Sequence, residues 1–535
     1  MNIEDAIEKV AAECPLHPAI KIPQRCSLNN VHYKTISFET LRNYVGKLST
    51  HLFGQGVARG DRVLVMVPPG KDLLVLIFSL LSIEAIPIII DPGMGVRNFL
   101  KCAKKTQPSV LVGCPKVRCL LPFLSLSVKT LRKKIILTRS LKKQLETKGF
   151  ICNLQKNYNL DNPAAILFTS GSTGYPKGAL YTYRQLNAQV EALQKAFNFQ
   201  PGEVDLPLLP VFSLFNPILK MTTVVPEMDP SHPSALNPAY IVEAIHRCHV
   251  TNSFGSPRLW TCIADYCESK QMMLPSLKRV FLAGAPVHPL LLKRVQNLLP
   301  NGEVYTPYGA TEVLPVACIS AKEVMEETYA QTLQGNGTCV GFPLSNVRIR
   351  IIPVTELPLT TLPDSLPIHS IGEIIVQTSY VSEAYVNDLH ATEKAKIVAD
   401  GIVWHRMGDL GYLDERGRLW FCGRKAECVV TSSGKTYYTE CCEAIFNACP
   451  EVFRSALISY RQGNITSPAV VIEPKIMPKR RKDKKILLDR IQQWSRQCVP
   501  TYEIEKFFLY EKFPVDVRHN AKIHRLKLAR YFQKF

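Results

Sequence analysis

The chain has 535 residues, 46% hydrophobic and 21% charged, which excludes an intrinsically disordered protein and exceeds one ordinary hydrophobic core. Lysine and arginine outnumber aspartate and glutamate 65 to 45, a net charge of +20 concentrated in part near the C-terminus. Seventeen cysteines without a Cys-x-x-Cys pair exclude a regular disulfide framework and read as reduced, mostly buried thiols of a cytosolic protein. The start, Met1-Asn-Ile-Glu-Asp5, has no basic region or cleavage pattern, so no secretory leader is expected. No metal-ligand cluster and no internal repeat stand out.

In chain order, Leu41, Val45, Leu48 and Leu52 recur at helical spacing and predict a helix over 38–54. Residues 62–67 read as a strand. The apolar run Leu73–Ile90 reaches the roughly 18 residues that a membrane span needs. Glu84 and Pro87 divide it better into a buried helix over 73–83 and a buried strand over 86–90, ending at the Asp91-Pro-Gly93 turn. This alternation argues for an α/β protein of open, mainly parallel sheets flanked by helices. Further strands are expected over 165–168, 276–283, 302–305 and 347–352, and a Pro- and Thr-rich surface connection over 355–369. After Arg424 the pattern becomes a compact α+β tail with helices over 439–448 and 485–498.

Four segments carry chemistry. The first runs from the strand Ala165–Phe168 into Thr169, Ser170, Gly171, Ser172, Thr173 and Gly174, then Tyr175-Pro176-Lys177-Gly178. Glycines let consecutive N–H groups converge into an anion-binding nest, and hydroxyls with Lys177 add donors suited to a polyphosphate. The spacing is not the Walker pattern; a Ser/Gly-rich surface turn is the plain alternative. The second is Tyr305–Glu312: Tyr308 offers a face for a purine, Gly309 allows close approach, Thr311 donates to phosphate, and Glu312 is a hard ligand for Mg²⁺. Alone it serves equally as a structural turn. The third is Trp404–Gly411 with Leu419–Arg424, where Asp409 can accept two ribose hydroxyls and Arg424 adds a donor, although an isolated Asp409 suits a turn. The fourth is Asp516–Arg525 with Lys522, a residue that alone reads as a solvated lysine.

The basic run Lys479–Lys485 reads as a solvated loop, with attraction to an anionic membrane surface or nucleic acid as the alternative. No zinc-finger spacing or RNA-binding aromatic signature accompanies it, so nucleic acid is not an expected partner. The C-terminal basic region remains a candidate for peripheral membrane contact.

Together and in this order, the four segments resemble the AMP-forming adenylating superfamily of acyl-CoA synthetases, luciferases and peptide-synthetase adenylation domains. The resemblance covers nearly the whole chain, from Ile36 to Lys522. It implies an AMP-binding domain over 1–423, a small mobile α+β lid over 424–535, and an active site between them. It also implies that Thr169–Lys177 grip the pyrophosphate end of ATP and that Tyr308 packs on adenine. Thr311 and Glu312 serve phosphate and Mg²⁺, Asp409 and Arg424 hold the ribose, and Lys522 swings in to stabilise adenylation. Joining a carboxylate to the α-phosphate brings two anions together, and Mg²⁺, Lys177 and Lys522 offset their repulsion. Retention of these residues argues against a non-catalytic nucleotide-binding protein.

Departures from the CoA-using pattern are Val430 where a lysine is expected, Ala426 at the hinge, and Tyr183 and Ser213 where histidines are common. They put CoA in doubt as acceptor without removing acyl-CoA or acyl-carrier ligation as the second reading. Val204–Pro207, Val224–Pro230, Phe254–Pro257, Tyr305–Pro315, His405–Asp409 and Phe513–Ile523 are similar to the β-lactone synthetases of bacterial long-chain olefin biosynthesis. That family adenylates a 2-alkyl-3-hydroxy fatty acid, whose own 3-hydroxyl then displaces AMP. The expected acyl pocket is lined by Phe212, Phe215, Phe254 and the Ala283-Gly284-Ala-Pro286 turn; ordinary core is the plain alternative for each phenylalanine.

Overall fold

The computed structural model describes residues 3, 5–27, 30–147, 159–168, 176–229, 235–515 and 523–533. Among these, the strands form a seven-stranded sheet, a fourteen-stranded sheet, a three-stranded sheet and a two-stranded ribbon. In the seven-stranded sheet Pro163–Phe168, Ile86–Ile89, Arg62–Met66, Val110–Gly113 and Lys133–Ile136 run parallel as neighbours. Val63, Leu64, Val110, Leu111 and Val112 are fully buried, as expected of parallel strands covered on both faces. The expected helices Phe38–Gly54 and Lys71–Ser82 are part of that cover, packed on each other.

The long apolar run resolves as foreseen. Lys71–Ser82 buries eight consecutive residues from Leu74 to Leu81, Glu84 adopts a left-handed φ of 53°, and the chain re-enters the sheet at Ile86. Among the described residues no helix is long and apolar enough to cross a membrane.

The fourteen-stranded sheet changes character along its width. Pro18–Ser27, Thr222–Val224, Val204–Asp205, Asn252–Gly255, Arg279–Leu282 and Glu303–Ala310 are parallel neighbours. From Glu303–Ala310 onward the pairing is antiparallel, through Val313–Ser320, Thr338–Pro343, Leu419–Arg424, Ile402–Leu413, Gly372–Gln377 and Arg348–Ile352. This block was not foreseen as such, and it holds the second and third motifs. The expected strand over 302–305 extends to Ala310, and Asp409 sits inside a twelve-residue strand rather than a turn.

A buried ion pair locks the block. Arg406 Nη2 lies 2.6 Å from Glu373 Oε2 on the neighbouring strand, both nearly inaccessible. The same guanidinium donates to the carbonyls of Thr355 and Leu357, which pins the irregular 355–369 connection to the sheet. Lys425 also reaches Glu373, at 3.3 Å.

Leu419–Arg424 is the last strand in chain order of the large sheet. Later strands form the ribbon Val429–Val430 with Thr436–Tyr437, and the sheet of Val452–Gln462, Ile465–Pro474 and Lys506–Leu509. The helices Thr439–Asn447, Arg481–Ser495 and Arg525–Phe532 accompany them. The basic run 479–485 is not wholly a loop, because the helix starts at Arg481 rather than Lys485. Leu487, Ile491 and Ser495 repeat every four residues on its buried face, which propagates the helix back through an exposed basic turn.

Candidate active site

The phosphate-loop candidate starts from a fixed frame. Pro163–Phe168 and Gly178–Thr182 are antiparallel neighbours, and Phe168 pairs with Gly178, so the connection between them leaves and re-enters the sheet at adjacent points. Thr169, Ser170, Gly171, Ser172, Thr173 and Gly174 lie outside the described residues, as does Lys522. Lys177 is described, with its Nζ 5.1 Å from the centroid of the Tyr385 ring. Val515 and Ile523, which flank the Lys522 segment, are bridged to each other.

Lys177, Tyr308, Gly309, Thr311, Glu312, Asp409, Arg424, Phe212, Phe215, Phe254 and Gly284 all line one cleft of about 2880 Å³. Ile523, His524 and Arg525 line it too. Every described residue of the expected site is thus brought together, although the chain separates them by up to 247 positions, from Lys177 to Arg424.

Asp409 and Arg424 are register partners on adjacent antiparallel strands, and Arg424 Nη1 lies 2.8 Å from Asp409 Oδ1. Tyr308 arrives from Glu303–Ala310 and donates its hydroxyl to Asp409 Oδ2 at 2.6 Å. Burial and the Asp409 charge push the Tyr308 phenol well above its ordinary range, so it stays a donor. Asp409 in turn strengthens the Arg424 cation. A carboxylate has about four lone-pair sites, so one held this way keeps capacity for two further hydroxyls. Gly309 cannot carry a side chain: a Cβ there would fall 2.7 Å from the Val313 carbonyl oxygen and 2.8 Å from Leu314 Cδ1.

The turn between Ala310 and Val313 is held from both sides. Tyr181 donates its hydroxyl to the Thr311 carbonyl at 2.5 Å, and the Ser382 N–H donates to the Glu312 carbonyl at 2.8 Å. The buried Glu312 carboxylate accepts from the Tyr385 hydroxyl at 2.5 Å. Lys396 donates to the Ser382 carbonyl, and burial drives its ammonium down to about 7 despite the nearby Glu312 charge. His405 also lines the cleft, fully buried and held neutral by burial and by Lys396. Sequence reasoning gave no role to Tyr181, Tyr385 or Lys396, because each is an isolated residue in an unremarkable segment.

The expected acyl wall is half-buried rather than closed core. Phe212 stacks on Phe254 with ring centroids 3.8 Å apart, and both rings, with Phe215, also face a smaller cavity of about 60 Å³. Two of the departures from the CoA-using pattern, Tyr183 and Val430, have structural accounts. Tyr183 is fully buried and donates its hydroxyl to the Leu81 carbonyl at 3.0 Å, tying its helix to Lys71–Ser82. Val430 is 52% exposed, so an uncharged side chain occupies the surface where a lysine was expected.

The fold is an α/β sheet system in which the described residues of the expected site share one cleft with an apolar wall. The chain belongs to the AMP-binding enzyme family, whose sequence pattern matches residues 7–386. It is 36% identical over 545 residues to the olefin beta-lactone synthetase of Stenotrophomonas maltophilia, covering 99% of this chain and 97% of that relative. The olefin beta-lactone synthetase of Xanthomonas campestris is likewise 36% identical over 546 residues, with the same coverage. A 2-succinylbenzoate–CoA ligase of Bacillus cereus is 25% identical over 446 residues, covering 82% and 83% of the two chains. In structure, the chain is similar to an amide bond synthetase from Marinactinospora thermotolerans, with TM-score 0.80, 18% identity and coverage of 99% and 100%. The O-succinylbenzoate coenzyme A synthetase of Bacillus subtilis, solved with ATP and magnesium ion, gives TM-score 0.78 at 18% identity, with coverage of 98% and 99%.

Two variants test the cluster. Tyr308→Phe keeps the ring but removes the donor to buried Asp409; ATP titration is expected to show about a tenfold weaker KM, about 1.4 kcal/mol. An unchanged KM would mean that the Tyr308 hydroxyl does not position Asp409 for the nucleotide. For Lys396 the ordinary value is 10.5 and the folded value about 7. Between them the unfolded chain binds the extra proton, so this residue's contribution to stability rises with pH across that window and is lowest below 7. Denaturant titrations should therefore find that Lys396→Met, relative to wild type, loses about 2–3 kcal/mol between pH 6 and pH 9. A pH-independent difference would contradict the buried, depressed ammonium.

Proposed function

We propose that this chain uses ATP to activate the carboxylate of a 3-hydroxy fatty acid and then closes the acyl group onto its own 3-hydroxyl, releasing AMP and a β-lactone. One observation carries the reading: the nucleotide-type residues and the half-buried phenylalanine pocket meet in a single cleft of a chain similar, over 99% of its length, to olefin beta-lactone synthetases.

In this reading the loop Thr169–Gly174 and Lys177 hold the pyrophosphate end of ATP. Tyr308 presents its ring to adenine while its hydroxyl orients Asp409 toward the ribose, assisted by Arg424. Glu312, with Thr311, would hold Mg²⁺. The described residues contain no cluster of three His, Cys, Asp or Glu side chains, and a single buried carboxylate suits a cation that keeps waters and phosphate oxygens as its other ligands. Bound there, the ion supplies neutralisation of the phosphate charge.

Phe212, Phe215, Phe254 and Gly284 align the acyl chain so that its carboxylate meets the α-phosphorus in line with departing pyrophosphate. Lys177 and Lys522 oppose the repulsion between the two anions. In the second step the 3-hydroxyl oxygen bonds to the acyl carbon and the mixed-anhydride C–O bond breaks. AMP leaves with the electron pair, and the hydroxyl proton passes to the released phosphate. Holding hydroxyl and carbonyl within one folded substrate supplies the proximity that a strained ring requires.

Residues 1–423 form the AMP-binding domain in this reading, and 424–535 the lid that brings Lys522 to the cleft. The separation of all later strands from the large sheet supports this division, as does the Lys425 tether to Glu373 beside the hinge. The uncharged Val430 surface supports a reaction that needs no CoA.

Purified protein given a 2-alkyl-3-hydroxy fatty acid, ATP and Mg²⁺ without CoA should release AMP and pyrophosphate and form a product lighter than the acid by one water. Product appearing only when CoA is added, as a thioester, would overturn the lactone reading in favour of ligation. Lys522→Ala should lower ATP–pyrophosphate exchange by about 10²–10³ while ATP binding persists. Undiminished exchange would remove its assigned role.

A further inference from the structure

Residues 92–145 contain thirteen lysines and arginines and no aspartate or glutamate, although the whole chain has a net charge of +20. Within this stretch the helical turn Pro115–Leu120 leads into the helix Leu121–Ser127. Val117, Leu124 and Val128 bury the inner face against the core of the seven-stranded sheet. The outer face is apolar as well, with Leu120 38%, Phe123 61% and Leu126 81% exposed. A helix that is apolar all round is ordinarily buried, and an apolar patch rimmed by charge of one sign marks a contact surface. Exposed Arg118 and Lys129 flank the segment in the chain, and Lys134 donates to the Ser125 hydroxyl on the helix itself at 2.6 Å. Lys116 and Val117 belong at once to this segment and to the wall of the cleft.

We infer that the Leu120–Leu126 face docks on an anionic lipid surface. Phe123 and Leu126 enter the boundary between headgroups and acyl chains, and the surrounding lysines and arginines meet lipid phosphates. Charge complementarity selects this occupant: the charged residues of the 92–145 stretch are all basic, while nucleic acid offers no apolar layer for Phe123 and Leu126. The cleft then opens beside the membrane, so that a water-insoluble acid reaches the phenylalanine pocket from the bilayer. This site is distinct from the C-terminal run 479–485, where Asp483 interrupts the basic residues. The inference stands on the surface itself and not on the identity of the acyl product.

Vesicle flotation tests it with the full chain, phosphatidylcholine vesicles and vesicles of phosphatidylcholine with phosphatidylglycerol at 3:1. The wild type is expected to float with the anionic vesicles, weakly with the neutral ones, and less at high salt. The double variants Phe123→Ser/Leu126→Ser and Arg118→Glu/Lys129→Glu should each bind at least about tenfold more weakly. Their ATP–pyrophosphate exchange with a short water-soluble acid and their thermal melts should match wild type. Failure of the wild type to float, or variants that float like it, would overturn the proposal. So would a wild type that binds duplex DNA but no vesicles, or one that dimerises through this patch without binding vesicles.

Discussion

Asp409 and Arg424 face each other across two antiparallel strands, and much of the site follows from that register. The pairing sets a carboxylate and a guanidinium side by side at the cleft wall. A third strand, Glu303–Ala310, adds the Tyr308 hydroxyl to the same carboxylate. Strand register is specified by side-chain alternation, and a slip of one residue would turn Asp409 to the opposite face. The Glu373–Arg406 ion pair, three residues along the same strand from Asp409, braces that register where solvent cannot screen it. Breaking such a buried pair is costly even where the pair itself adds little net stability.

The second constraint is charge. Activating an acid with a polyphosphate requires anions to approach each other, and the cleft wall carries Lys177 and Arg424 together with the carboxylate of Glu312. Tyr385 links these parts, with its hydroxyl on Glu312 and its ring beneath Lys177. Lys396 is buried close enough to influence both Glu312 and His405, and its depressed ammonium limits how much positive charge is locked beneath the site near neutral pH. The phenylalanines on the apolar side carry no such requirement and remain half-buried at the cavity wall.

What was legible in the sequence was contiguous. Tyr308, Gly309, Thr311 and Glu312 fall within five residues and line one cleft, while the glycine- and hydroxyl-rich run before Lys177 lies outside the described residues. The helix–strand division of Leu73–Ile90 was legible because Glu84 and Pro87 interrupt an otherwise uniform run. Non-local pairing was not. The antiparallel block from Val313 to Arg424 pairs strands distant in the chain, Thr338–Pro343 with Leu419–Arg424 and Gly372–Gln377 with Ile402–Leu413, and its alternation is blurred by buried charges such as Glu373 and Arg406. Tyr385 and Lys396 act through neighbours 73 positions away or across a strand pair, and no local pattern marks them. The helix beginning at Arg481 was hidden because its first turn is almost entirely basic, although Leu487 and Ile491 fold it against the core. Its extent is set by tertiary packing rather than by its opening residues.

The central claim is that the substrate's own hydroxyl, and no second molecule, accepts the activated acyl group. Oxygen labelling reports on this directly. A 2-alkyl-3-hydroxy fatty acid carrying ¹⁸O in the 3-hydroxyl should give a lactone with the label in its ring oxygen. The same acid labelled in its carboxylate should pass one ¹⁸O to AMP. A ring oxygen without the hydroxyl label, or AMP without the carboxylate label, would contradict the account.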